Sequence, residues 1–192
     1  MKRTALVALV LLAFSGTAAA QMSPMKLYAG LGMGLPKAPD RFSDNYKTGF
    51  GAMAGVGLSV FPKLEAIPKI EYFSFNNDVD LFGGGKISIV MFGVDGKLNL
   101  GIPTMPMKPY VLGGAGLAKF SQADLDLPTV LTQPLDAVKL EDQTKLYYNI
   151  GGGVEWKFLV AVSIFAQGRY VQIATDGDPT TFWALNAGVK LL

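Results

Sequence analysis

The chain has 192 residues, half of them hydrophobic, with 23 glycines, no cysteine, no histidine and a formal net charge of +2. That length suits a single domain, and without Cys the chain has no disulfide, no thiolate chemistry and no acylated N-terminal Cys. A nearly neutral balance leaves no electrostatic footprint for nucleic acid.

Met1, Lys2 and Arg3 precede an apolar run from Ala5 to Phe14, followed by Ser15-Gly16-Thr17 and the small trio Ala18-Ala19-Ala20. The pattern predicts a Sec-type signal peptide over residues 1–20, cleaved before Gln21, because the run is half the length of a membrane-spanning helix. Losing Lys2 and Arg3 takes the seventeen bases to fifteen, equal to the fifteen acids. No later segment carries the eighteen or so uninterrupted apolar residues of a membrane helix, so an apolar surplus that faces lipid must do so as strands.

Eight segments with a period of two follow. Lys26 to Met33 sends Leu27, Ala29, Leu31 and Met33 outward, and Thr48 to Val60 sends Phe50, Ala52, Ala54, Val56, Leu58 and Val60 one way and mostly glycine the other. Lys69 to Phe75 is less regular, since Ile70 and Tyr72 oppose Lys69 and Glu71 while Phe73 and Phe75 fall on the polar side. Ile87 to Leu100 opposes Val90, Phe92, Val94, Leu98 and Leu100 to Asp95, Lys97 and Asn99, with Ile89 and Met91 blurring its start. Pro109 to Phe120 sets Val111, Ala115 and Leu117 against Tyr110, Gly114 and Gly116. Lys145 to Phe158 alternates most strictly, with Leu146, Tyr148, Ile150, Val154 and Trp156 opposed to Lys145, Tyr147, Asn149, Glu155 and Lys157. In Ala161 to Val171 only Phe165 breaks the face of Ser163, Gln167 and Arg169, and Phe182 to Leu191 closes the set. The reading is an all-β, eight-stranded antiparallel transmembrane up-and-down barrel over residues 21–192. Small residues on the inward faces suit a lumen too narrow for many large side chains.

The connections predict the orientation. Leu35 to Lys47, Asn76 to Lys86, Ser121 to Gln143 and Gln172 to Thr181 read as long outer loops, while Phe61 to Pro68, Gly101 to Lys108 and Phe158 to Val160 read as short periplasmic turns. All prolines but Pro109 are expected in the tail, the links or their edges. Aromatic girdles are expected from Tyr28, Phe61, Tyr110, Trp156 and Phe158 on the periplasmic side and from Phe50, Tyr72, Phe120, Tyr148, Tyr170 and Trp183 on the other.

The signal-like leader, Pro109-Tyr110-Val111 with Gly114-Ala115-Gly116, Gln167-Gly168-Arg169-Tyr170 and the closing Ala187-Gly188-Val189-Lys190 resemble the OmpA-like and OmpW-like small outer-membrane β-barrel proteins. The resemblance spans the mature chain and implies a Gram-negative cell outer membrane, insertion by the barrel-assembly machinery, and lipid and lipopolysaccharide as surroundings. Leu192 stands where that family usually ends on an aromatic, and no peptidoglycan-binding domain follows, which predicts a bare barrel.

Chemistry is sparse. Barrel enzymes of the outer membrane that use a His general base have no counterpart here, so no enzyme and no cofactor are expected. Gly83-Gly84-Gly85-Lys86 lacks the earlier Gly and the following Ser or Thr of a phosphate loop and reads as a loop ending. Gly113-Gly114 and Gly151-Gly152-Gly153 read as room for lumen side chains or as points of curvature. Glu71, Asp95, Lys97, Glu155, Lys157, Arg169 and Lys190 should face a confined lumen and pair there, since charges in such a space must pair or stay wet.

Eleven acids fall in the four long links against Lys37, Arg41, Lys47 and Lys139 within them and Lys86 at a link's end, so the outer mouth is expected to be acidic. In the third loop Asp124, Asp126, Leu127, Leu131 and Leu135 form the candidate interaction surface for an extracellular ligand, because so many apolar residues should not hang in water. The expected role is therefore a monomeric structural or surface-interacting barrel. The alternatives are a narrow porin-like or OmpW-like channel for small or hydrophobic solutes, and a soluble lipocalin-like binder.

Overall fold

The alternation is realised as eight strands: β1 (Lys26–Ala38), β2 (Gly49–Phe61), β3 (Leu64–Phe75), β4 (Ile87–Asn99), β5 (Met107–Ser121), β6 (Thr144–Lys157), β7 (Val162–Ile173) and β8 (Thr180–Leu191). A short helix, α1 (Asp40–Asn45), lies between the first two strands. The computed structural model describes residues 25–76, 87–101, 106–121, 144–175 and 177–192. The leader, Gly83 to Lys86, and Asp124, Asp126, Leu127, Leu131 and Leu135 of the third loop all lie outside the described residues.

Each strand pairs antiparallel with the next, and β1 pairs with β8 from Leu27↔Leu191 to Ala38↔Thr181, which closes the barrel. Closure leaves no edge strand, so the ladder satisfies the backbone N–H and C=O groups without water, as a strand in hydrocarbon requires. The side chains of one parity point outward and form an apolar surface, on which Leu31, Phe50 and Ile150 are 74%, 70% and 69% exposed. Among the described residues no helix is long and apolar enough to cross a membrane.

Strands β1, β3, β5, β7 and β8 run longer than the alternation alone indicates. β3 begins at Leu64, so the turn from β2 is only Pro62-Lys63 and the expected link to Pro68 is mostly strand. Pro68 consequently sits inside β3, opposite Val94 of β4, and the β2 ladder omits pairs between Gly55↔Lys69 and Leu58↔Ala66, where a proline has no N–H to give. Pro36 likewise lies within β1, beyond the point where pairing with β2 stops at Gly34↔Gly49. These two prolines depart from the expected confinement to links.

The length alternation of the connections holds only in part. The turns after β2, β4 and β6 have two, seven and four residues, and the links after β1, β3 and β5 have ten, eleven and twenty-two, but the link after β7 has only six. That last connection is tightened by Gly177 at φ +87° and by Thr175, whose hydroxyl donates to the Asp178 carbonyl at 2.7 Å and accepts from the Thr180 N–H at 3.0 Å.

Candidate functional site in the barrel lumen

Inward-facing positions build three levels along the barrel axis. At the end carrying the long links, Phe73 and Phe75 of β3, Ile89 and Met91 of β4, Val171 and Ile173 of β7 and Phe182 of β8 are fully buried in one apolar cluster. Phe182 meets Phe73 at 5.3 Å and Phe75 at 5.5 Å between ring centroids, both edge to face. From above, Phe42 of α1 sets its ring edge-on against Phe75 at 5.2 Å, so the helix helps to close this end. Each aromatic pair of this kind adds roughly 0.5–1.5 kcal/mol beyond the area it buries.

Such bulk fits because the neighbouring strands β1 and β2 carry glycine on the lumen face at this level. A Cβ on Gly34 or Gly49 would lie 2.6 Å from the Phe75 ring, and one on Gly51 would lie 2.6 Å from Phe73. The expectation of a lumen too narrow for many large side chains holds for β1 and β2, which give up their side-chain volume, while strands β3, β4, β7 and β8 fill it with bulky residues. Of the glycine runs, Gly114, Gly151 and Gly153 lie under Asp95, Arg169 and Tyr110, while added Cβ atoms on Gly113 and Gly152 would meet only backbone carbonyls, at 3.5 Å and 3.1 Å.

Below this tier lies an ion cluster centred on Arg169 of β7, which is wholly buried. Its guanidinium grips Glu71 of β3 with both terminal nitrogens, one donating at 2.9 Å, and also donates to the Asn186 side-chain carbonyl at 2.9 Å. Lys69 of β3 pairs with both Glu71 and Asp95 at 2.7 Å, and Asn149 donates to Asp95 at 2.9 Å. Two bases and two acids thus cancel across β3, β4 and β7. Desolvating four ions costs several kcal/mol each, and only this density of pairing offsets it.

A second ion cluster sits nearer the short turns. Lys97 of β4 donates to Glu155 of β6 at 2.6 Å and to the Tyr28 hydroxyl at 3.1 Å, with its ammonium 4.5 Å from the centre of the Tyr110 ring. Tyr28 in turn donates to Glu65 at 2.7 Å. Lys190 of β8 pairs with Glu155, and Lys26 of β1 pairs with Glu65. Between the two clusters Phe165, Met53 and Ile67 form a small apolar patch with Tyr28.

Glu71, Asp95, Lys97, Glu155, Arg169 and Lys190 are thus all buried inward, whereas Lys157 is exposed at the rim, past the last buried charge of its strand. Two members escaped the sequence reading. Glu65 was hidden by taking Pro68 as the end of a link, and Lys69, although placed on the same face as Glu71, was not counted among the lumen charges. Tyr28, Tyr110 and Phe120 do not belong to the girdles: Tyr28 and Tyr110 are buried among the lumen charges, and Phe120 packs against the apolar cluster. The strand parity already signalled this for all three. Phe61, Trp156 and Phe158 do stand exposed near the short turns, as do Phe50, Tyr148 and Trp183 toward the other end. Among the described residues no acids converge in a set that could hold a metal ion.

The barrel is similar to Neisserial surface protein A, with 18% identity and a TM-score of 0.64, covering 89% of this chain and 98% of that one. It is also similar to the N-terminal β-barrel domain of Pseudomonas aeruginosa OprF, with 16% identity and a TM-score of 0.50, covering 89% and 98%. At these identities the likeness concerns the fold. No curated protein matches the sequence. The family model of the outer membrane protein beta-barrel domain matches residues 6–190, almost the whole chain. The apolar outer surface, the closed ladder and this match agree, and the chain belongs to the outer membrane protein beta-barrel domain family.

Proposed function

We propose that this outer-membrane barrel is a sealed structural element that stabilises the envelope and presents its outer loops, with no catalytic or solute-conducting role. The observation that carries the reading is the filled lumen, in which an interlocked aromatic tier and two paired ion clusters occupy successive levels. A conducting lumen needs a continuous wet path, and eight strands leave little bore even before it is filled. The outward apolar surface and charged interior also run against a soluble lipocalin-like binder, which would place apolar groups inside and polar groups outside.

The rest of the reading follows from that role. Residues 1–20 direct export and are removed, the barrel-assembly machinery inserts the mature chain as a monomer, and lipopolysaccharide surrounds its outer half. Asp124, Asp126, Leu127, Leu131 and Leu135 form the contact surface for an extracellular ligand. Absence of His deprives any hydrolytic mechanism of its commonest general base. The test is swelling of liposomes carrying the folded protein in isotonic sugars and amino acids. Swelling at the rate of empty liposomes is expected, and swelling graded by solute size would replace the sealed barrel with a channel.

A further inference from the structure

The end of the barrel with the short turns opens into a vestibule of about 390 Å³, within the range of small-ligand pockets. Its charged lining consists of five lysines, Lys26, Lys63, Lys108, Lys157 and Lys190, and two glutamates. Both glutamates are already engaged. Glu65 accepts from Lys26 and from the Tyr28 hydroxyl, and Glu155 accepts from Lys97 and Lys190. Lys63 from the turn after β2, Lys108 from β5 and Lys157 from β6 have no acidic partner among the described residues. Three positive charges from three separate segments therefore converge on one concavity without compensation.

Outer-membrane barrels turn their short connections to the periplasm, which on that orientation opens the vestibule there. Phe61, Trp156 and Phe158, the exposed aromatics of this end, are close in sequence to Lys63 and Lys157, which sets those lysines at the depth of the lipid headgroups. Ammonium groups on flexible stems act as mobile point charges, which suits a compact, multiply charged oxyanion such as phosphate, and three of them converge here without a fixed bidentate fork.

We propose that this vestibule is a binding site for a phosphate-bearing anion reached from the periplasmic face, with Lys63, Lys108 and Lys157 as its ligands. The phosphate is supplied either by the headgroup of an anionic phospholipid in the inner leaflet or by a soluble periplasmic phosphate compound. The site is independent of whether the lumen conducts, because its three ligands take no part in either ion cluster, the second of which only floors the vestibule.

The test uses full-length folded protein extracted from membranes and placed in zwitterionic lipid discs, beside the triple variant Lys63→Gln, Lys108→Gln, Lys157→Gln and the control Lys37→Gln at the opposite end. Heat-shifted gel mobility verifies that every variant is folded. Titration with inorganic tripolyphosphate should show saturable one-to-one binding, weakened at least about tenfold in the triple variant, unchanged in the control, and lost near 1 M salt, where the screening length falls to about 3 Å. In discs containing phosphatidylglycerol, native mass spectrometry should find lipid retained by the parent and released by the triple variant. Retention of phosphatidylglycerol without tripolyphosphate binding identifies the source as lipid, and the reverse identifies a soluble phosphate. Absence of both, or either one persisting undiminished in the folded triple variant, overturns the proposal.

Discussion

The two ends of this lumen are closed by different physics. Toward the long links, Phe42, Phe73, Phe75 and Phe182 interlock against a glycine wall, and nothing charged takes part. Toward the short turns, Lys97, Glu65, Glu155 and Lys190 hold each other through directed contacts that tolerate little displacement. Apolar packing is non-directional and recovers partly by relaxation, whereas an ion that loses its partner keeps its full desolvation cost. The outer tier should therefore respond to volume and the inner levels to charge balance.

The largest effect is expected at Arg169, which joins the two regimes. Arg169→Ala leaves Glu71 buried with one cation in place of two, and should cost about 3–5 kcal/mol in urea unfolding from lipid vesicles. The double variant Glu71→Leu, Arg169→Met leaves Lys69 and Asp95 paired at 2.7 Å and should regain most of that loss. If the double variant is as unstable as the single one, charge balance is not what governs this level.

Phe73→Ala should cost slightly less, about 3 kcal/mol, since Phe75 and Phe182 stand ready to collapse into the space. Salt should leave that value unchanged. On the outer surface, Ile150→Lys should cost about 2 kcal/mol near the bilayer midplane while the folded fraction still shows heat-shifted mobility. The smallest effect is predicted at Lys157→Gln, below about 0.5 kcal/mol, because that lysine is exposed at the rim. A loss comparable to that of Lys190→Gln would return Lys157 to the lumen network.

Strand number, closure and most lumen charges were legible because period-two alternation is a local signal, as strict Lys145 to Phe158 shows. What was not legible depended on relations between strands, which the alternation within any single strand does not carry. Phe73 and Phe75 read as misfits within β3, and only the facing glycines at 34, 49 and 51 make room for them. Glu65 was lost because a proline inside a strand resembles a proline that ends one; β3 accepts Pro68 by omitting pairs from its ladder with β2. The helix at Asp40–Asn45 left no period long enough to register, and among the described residues its Phe42 joins the apolar cluster by packing on Phe75.

The most direct test of the sealed lumen is single-channel recording in planar bilayers, comparing the parent protein with the combined variant Phe73→Ala, Phe182→Ala and with Arg169→Ala. The parent should be silent, and so should each variant, since each leaves the other kind of closure in place; openings should require both sets of substitutions together. Reproducible openings by the parent protein would contradict the account.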